Sequence, residues 1–245
     1  MKVLAVIPAR YESSRLPGKP LADLGGKTLI QRVYENVRKC KKIDQIIVAT
    51  DDDRIRKEVE KFGGTVRMTD PQLPSGTDRA ATVARDLDCE IVVNIQGDEP
   101  FLSPEVIDQA IDALIQNPEY KVSTVGKIGL SEEEIQSPNT VKVITNKKSE
   151  ALYFSRFGIP YVRDKENNSW ENPSMKHIGL YVFRKEYLMK FIEMEPGTLE
   201  KLEKLEQLRI LENCEKIYIA KTHQDSFGID TSEDLTKARR WLSHD

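Results

Sequence analysis

Apolar residues in the first half of the chain come in blocks. Residues 3–7, 45–50 and 90–95 are short, nearly unbroken apolar runs, the pattern of strands buried on both faces. Pro8 follows the first run and is expected to end it, because proline cannot donate to a sheet ladder. Between the runs, apolar positions recur at helical spacing. Leu29, Ile30, Val33 and Val37 mark one stripe within 28–39, and Ile55, Val59 and Phe62 mark another within 52–62, closed by Gly63-Gly64. A third helix is expected over 80–87. Strands alternating with helices imply a mainly parallel sheet with right-handed crossovers.

Residues 103–114 continue as a helix, with Ser103 as its cap and Pro104 at its first position. Beyond it the pattern changes. Residues 122–128, 141–145, 151–154 and 178–183 read as strands without a helix between every pair, so this part is mixed or antiparallel and is expected as a lobe over the sheet edge. Residues 164–173, rich in Asn, Ser and Pro, read as a loop. Leu199, Leu202, Leu205, Leu208 and Leu211 predict one long helix, better explained by core or dimer packing than by a cofactor. A returning strand over 217–220 and a capped terminal helix over 232–242 complete the chain.

Composition narrows the classes. The 245 residues include 37 basic and 40 acidic side chains, for a net charge of −3, which leaves no electrostatic footprint for nucleic acid and no basic face for a membrane. Cys40, Cys89 and Cys214 are odd in number and far apart, neither a disulfide framework nor a zinc pattern, and they point to a reducing compartment. Met1 leads directly into a strand and no apolar run reaches membrane-spanning length, so a cytoplasmic location is expected.

Candidate chemistry sits where the strands end. Ala9-Arg10, Asp51-Asp52 and Gln96-Gly97-Asp98 each follow a predicted strand, and ligands of open α/β sheets bind beyond the carboxyl ends of the strands. These segments are expected to meet at one site. The loop after the first strand carries Arg10, Ser13, Ser14, Arg15, Gly18 and Lys19, which suits a polyanion such as a nucleoside triphosphate; the alternative is a basic surface loop. Gly26-Lys27-Thr28 imitates the end of a P-loop, but Leu21 stands where that motif needs glycine, so Gly25-Gly26 reads as a turn before a helix. Asp98, in Gln96-Gly97-Asp98-Glu99-Pro100, is a candidate Mg²⁺ ligand, with turn capping as the alternative. Asp230, in Gly228-Ile229-Asp230-Thr231, is either a turn former or a ligand. His177 has no His or Cys neighbour for zinc, and substrate contact and ordinary burial both stay open. Ser75-Gly76-Thr77-Asp78-Arg79 reads as a turn into a helix, or as a loop facing a ligand.

Taken together, Ile7-Pro8-Ala9-Arg10-Tyr11, Ser14-Arg15-Leu16-Pro17-Gly18-Lys19-Pro20-Leu21, Ala49-Thr50-Asp51, Ser75-Gly76-Thr77-Asp78-Arg79, Asn94-Ile95-Gln96-Gly97-Asp98-Glu99-Pro100, Asn139-Thr140-Val141-Lys142-Val143, Ala151-Leu152-Tyr153-Phe154-Ser155-Arg156, His177-Ile178-Gly179-Leu180-Tyr181, Leu205-Glu206-Gln207-Leu208-Arg209 and Gly228-Ile229-Asp230-Thr231 resemble, in order, the motifs of the sugar-acid cytidylyltransferases. Within that family they resemble the branch acting on 3-deoxy-D-manno-octulosonate (KDO). The resemblance covers nearly the whole chain, although 164–174 fits no pattern of the family. It implies a Rossmann-like nucleotidyltransferase α/β fold in one domain, with a nucleotide-binding core over about 1–120 and 205–245 and a mixed-sheet lobe over about 121–204 for sugar and dimer contacts.

It also implies an enzyme that joins CTP to KDO, dependent on Mg²⁺, homodimeric, and serving lipopolysaccharide synthesis. Arg10 and Lys19 are then expected at the triphosphate, with Arg15 assisting or merely exposed. Asp98 and Asp230 are expected to hold Mg²⁺. Pro8, Ala9, Ser75, Gln96 and Gly97 are expected around the nucleotide, and Gln96, Arg156, His177, Tyr181, Glu206 and Gln207 around the sugar acid. A cytidylyltransferase for another 2-keto sugar acid such as neuraminate, and a non-catalytic nucleotide-sugar-binding regulator, are the competing readings.

Overall fold

The computed structural model describes residues 1–12, 16–163 and 172–242. Ser13, Ser14, Arg15 and most of the 164–174 loop lie outside the described residues.

Strand β1 (Val3–Ala9) is the centre of the fold. It pairs in parallel with β2 (Gln45–Thr50) on one side and with β4 (Ile91–Ile95) on the other. Helix α1 (Leu29–Val37) joins β1 to β2, and α2 (Asp53–Lys61) joins β2 to the short parallel edge strand β3 (Val66–Met68). Helix α3 (Gly76–Arg85) then carries the chain back to β4. The order β3-β2-β1-β4 makes the β1/β4 boundary a topological switch point, where the loops leaving the two strands diverge and open a crevice.

Local sequence explains these elements. Thr28 caps α1 by accepting from Gln31 N, and the predicted stripe, joined by Tyr34, faces inward. Ser103 caps α4 (Pro104–Gln116) with proline at the first turn, where a missing N–H costs nothing. Gly25 and Gly26 take φ of +66° and +77° in the turn before α1, as expected. Both faces of β1 are buried. Ala5 and Ile7 join the core under α1, α2 and α4, and Leu4 and Val6 join the core on the opposite face. Each fully buried large aliphatic side chain contributes roughly 1.5–3 kcal/mol.

Several expectations need correction. Pro8 lies inside β1, paired with Ala49 of β2, because pairing with β4 has already stopped at Val6 and the missing donor breaks no ladder on that side. The mixed second half extends the main sheet. Strands β8 (Met175–Arg184) and β5 (Val122–Lys127) enter the main sheet, β8 running antiparallel to both β4 and β5, and β9 (Ile217–Thr222) closes the edge parallel to β5. Only β6 (Lys142–Thr145) and β7 (Ala151–Ser155) stand off this path. The sheet is thus mixed, with parallel and antiparallel strands in one α/β layer.

The predicted long helix is two short ones, α7 (Thr198–Glu203) and α8 (Leu208–Glu212), separated at Lys204 with φ +54°. A strict three-residue leucine spacing slips about 60° per step on a helix of 3.6 residues per turn, so the stripe never makes one face; Leu202 is 76% exposed. Short helices α5 (Glu132–Gln136) and α6 (Lys185–Phe191) add to the predicted set. The terminal helix α9 (Ser232–Leu242) packs Leu235 and Ala238 on Leu24, Leu29 and Ile229.

Candidate active site

Two clefts meet at the carboxyl end of β4. The first, about 390 Å³, opens at the switch point and is lined by Pro8, Ala9, Arg10, Lys19, Gly76, Arg79, Gln96, Gly97, Asp98 and Asp230. The second, about 580 Å³, includes Asn139, Thr140, His177 and Gly179 in its walls, with Asp98 and Asp230 again at its border.

Between the clefts one cation holds two carboxylates. Lys19 Nζ donates to Asp98 Oδ2 at 2.6 Å and to Asp230 Oδ1 at 3.0 Å. Burial works against the ammonium, but the two aspartates outweigh it and hold the Lys19 pKa above its ordinary value. The three residues are up to 211 positions apart in sequence. They are joined because Ile229 N donates to Asp98 O at 2.9 Å, tying the 228–231 segment to the end of β4. Asp234 Oδ2 then accepts from Asp230 N and Thr231 N, which fixes that segment at the start of α9.

The floor of the first cleft comes from the backbone. A Cβ on Gly97 would stand 2.6 Å from Pro8 O, so only glycine lets the β4 loop pass against the end of β1. Arg10 Nη2 is buried and has no hydrogen-bond partner, which leaves a guanidinium donor aimed at an acceptor that the protein does not supply. The carboxylate pair suits Mg²⁺, which takes one or two protein carboxylates and completes its shell with phosphate oxygens and water. Among the described residues no group of three or more His, Cys, Asp or Glu gathers for a metal, so a two-carboxylate site would hold the ion together with substrate oxygens.

The expected nucleotide residues Pro8, Ala9, Arg10, Lys19, Gln96, Gly97 and Asp98 therefore meet in one cleft. Ser75 stands behind it as the cap of α3, accepting from Asp78 N. Arg79 and Gly76 also line the cleft, and the sequence alone does not single out either one. Arg79 is fully buried, donating through Nη2 to Asp51 and through Nη1 to Thr69, and burial together with Arg10 lowers its pKa. Only its place beside the Ser75 turn hinted at this, since the sequence does not show a helix aiming that side chain back at β2.

The expected sugar-acid residues separate into three groups. His177 lines the second cleft, and Gln96 reaches its edge, with Cγ 3.3 Å from where a Cβ on Gly179 would be. Tyr181, Glu206 and Gln207 surround, with Thr77, a small cavity of about 10 Å³. Glu206 accepts from Thr77 Oγ1 at 3.0 Å and lies 3.1 Å from Ser75 Oγ. Burial raises its pKa, which those hydroxyls oppose. The break between α7 and α8 is what brings Glu206 and Gln207 to the start of α3.

Arg156 does not line either cleft. Its guanidinium donates to Glu203 O, Pro138 O and Lys204 O, and it acts as a brace. Beside it the fully buried Lys142 donates through Nζ to the carbonyls of Ser137, Thr140 and Arg156. Together the two cations pin the 137–140 wall of the second cleft.

A family model described as Cytidylyltransferase matches residues 4–217. A 3-deoxy-manno-octulosonate cytidylyltransferase from Pelobacter propionicus is 46% identical over 246 residues, covering 98% of this chain and 96% of that protein. One of the same name from Geobacter sulfurreducens is 46% identical over 244 residues, covering 97% and 98%. Among solved structures, a CMP:2-keto-3-deoxy-manno-octonic acid synthetase complexed with CTP superposes with a TM-score of 0.94 at 38% identity, covering 100% of this chain and 99% of that one. A 4-diphosphocytidyl-2C-methyl-D-erythritol synthase from Anaerococcus prevotii, at 20% identity and a TM-score of 0.65, shares the fold. Sequence match, fold and the clustering of its motifs around one crevice agree: the chain belongs to the 3-deoxy-manno-octulosonate cytidylyltransferase family.

Proposed function

We propose that the protein transfers CMP from CTP to KDO, releasing pyrophosphate, and so supplies an activated sugar acid for lipopolysaccharide synthesis in the cytoplasm. The observation that carries this reading is the Lys19 ammonium bridging Asp98 and Asp230 at the border of two clefts, one with an unpartnered buried guanidinium nitrogen on Arg10. The first cleft takes CTP and the second takes the sugar acid, so the α-phosphorus and the anomeric hydroxyl meet beside the aspartates.

That hydroxyl gives up its proton to water and attacks the α-phosphorus in line, its P–O bond forms as the bond to the α,β-bridging oxygen breaks, and pyrophosphate leaves with that electron pair. The protein supplies positioning and charge. Arg10 binds the triphosphate through its planar fork, and Lys19 adds a point charge while holding the two aspartates in register. Asp98 and Asp230 would hold Mg²⁺, which when bound supplies Lewis acidity to the phosphoryl oxygens and lowers the pKa of an attached hydroxyl. Backbone carbonyls at Pro8 and Ala9 favour cytosine, whose amino group donates where uracil presents an acceptor.

A homodimer belongs to the same reading. Phe157, Tyr161 and Leu202 are 78%, 83% and 76% exposed, and such large apolar side chains at the surface are what a partner copy would cover.

Pyrophosphate release from CTP decides the proposal. It should require KDO and Mg²⁺ together and stop with EDTA. Release with neuraminate but not KDO would move the substrate to another 2-keto acid, and CTP binding without release for any sugar acid would favour the regulatory reading.

A further inference from the structure

Thr124 and His177 face each other beside the irregularity in β5, where the β5–β8 register shifts between Thr124 and Val125. Thr124 Oγ1 lies 2.5 Å from Leu180 O, 3.0 Å from His177 Nε2 and 3.4 Å from Ile178 O. A threonine hydroxyl carries one proton, and a carbonyl can only accept. The short contact to Leu180 takes that proton. Oγ1 therefore meets the imidazole as an acceptor, and Nε2 carries the ring hydrogen.

Burial pushes the His177 imidazole down to about 3, so at pH 7 the ring is neutral with one N–H. Nδ1 is then a bare lone pair. It has no protein partner among the described residues, yet it is not one of the buried polar atoms left without one. Since His177 lines the 580 Å³ cleft, Nδ1 opens there. Phe154, edge-on at 5.1 Å, and Tyr181, at 5.4 Å, keep the ring in place.

We propose that Thr124 is a positioning residue that locks His177 in its Nε2–H form, so that Nδ1 presents an acceptor to the sugar-acid cleft and takes a substrate hydroxyl there. A carboxylate placed at that point would set lone pair against lone pair in a desolvated site, which costs more than a missing bond. The residue thus sets the orientation of a ligand that carries one carboxylate and several hydroxyls. The inference rests on the second cleft being the sugar-acid site.

The first test is the two-bond ¹H–¹⁵N correlation spectrum of histidine-labelled wild-type protein at pH 7, with the His177 signals assigned by their loss in His177→Asn. The Nε2–H pattern is expected, and a proton on Nδ1, or an imidazolium, overturns the proposal. The second test is kinetic. Thr124→Val keeps the shape but loses the hydroxyl. It should abolish the fixed tautomer and raise the KM for KDO about tenfold, the factor for one neutral hydrogen bond, with kcat and the KM for CTP within about twofold. Thr124→Ser should restore both readouts. An unchanged KDO KM in Thr124→Val overturns the proposal; if that variant does not fold, the wild-type spectrum decides alone. Failure of the functional reading is distinguishable, because it shows as absent pyrophosphate release in the wild type.

Discussion

Replacing Glu99 by glutamine should stabilise the protein at pH 8 and leave it nearly unchanged at pH 4.5. Glu99 sits at the edge of the second cleft, where Ser226 Oγ donates to its Oε2. Burial pushes its carboxyl up from 4.5 to about 7; the bond from Ser226 and the charge of Lys176 oppose the rise, and Asp98 adds to it. The folded protein therefore keeps a proton that the unfolded chain releases. Stability from this group is fully present below pH 4.5 and is lost as pH rises through 7. At 1.36 kcal/mol per unit, the shift is worth about 3 kcal/mol.

Glutamine keeps the shape, and its amide oxygen still accepts from Ser226, but it never ionises. Urea unfolding of wild type and Glu99→Gln without divalent cations, from pH 4.5 to 8.5, isolates the effect as a difference. The advantage of the variant should grow by about 3 kcal/mol across that range, mostly between pH 5 and 7. Parallel stability curves would refute the assignment, because they would mean that Glu99 titrates alike in the folded and unfolded chains.

Asp98→Asn and Asp230→Asn should each lower turnover by at least ~10²-fold at saturating Mg²⁺, the scale of a lost preorganised electrostatic group, while CTP binding is partly kept; near-normal turnover in a steady-state assay removes the residue from the metal site. Arg79→Met should cost ~3–5 kcal/mol, because it leaves the part-buried Asp51 carboxylate without its cation, and a urea midpoint close to wild type would contradict that. Lys142→Met should destabilise by about 3 kcal/mol, since three part-buried carbonyls lose their donor. It should also raise the KM for KDO more than that for CTP, because only the wall of the second cleft is loosened; equal changes in both would refute the bracing role.

The sequence by itself determined the main strands and helices of the first half and the polar segments at their ends. Residues 3–7 are apolar on both faces, α1 carries a helical stripe behind a threonine cap, and Gln96-Gly97-Asp98 ends a buried strand. Each follows from interactions within a few residues, where backbone geometry turns spacing directly into a face. Tertiary structure decided which distant side chains meet. Lys19 reaches Asp230 across 211 positions and Glu206 reaches Thr77 across 129. The same holds for Arg79, drawn out of solvent onto Asp51, for Arg156, whose guanidinium holds the carbonyls of Pro138, Glu203 and Lys204, and for Thr124, whose single hydroxyl proton is committed to Leu180 only because β8 runs antiparallel beside β5. Such roles depend on pairings among strands far apart in the chain. Local periodicity carries no information about those pairings, because many topologies bury the same stripes equally well.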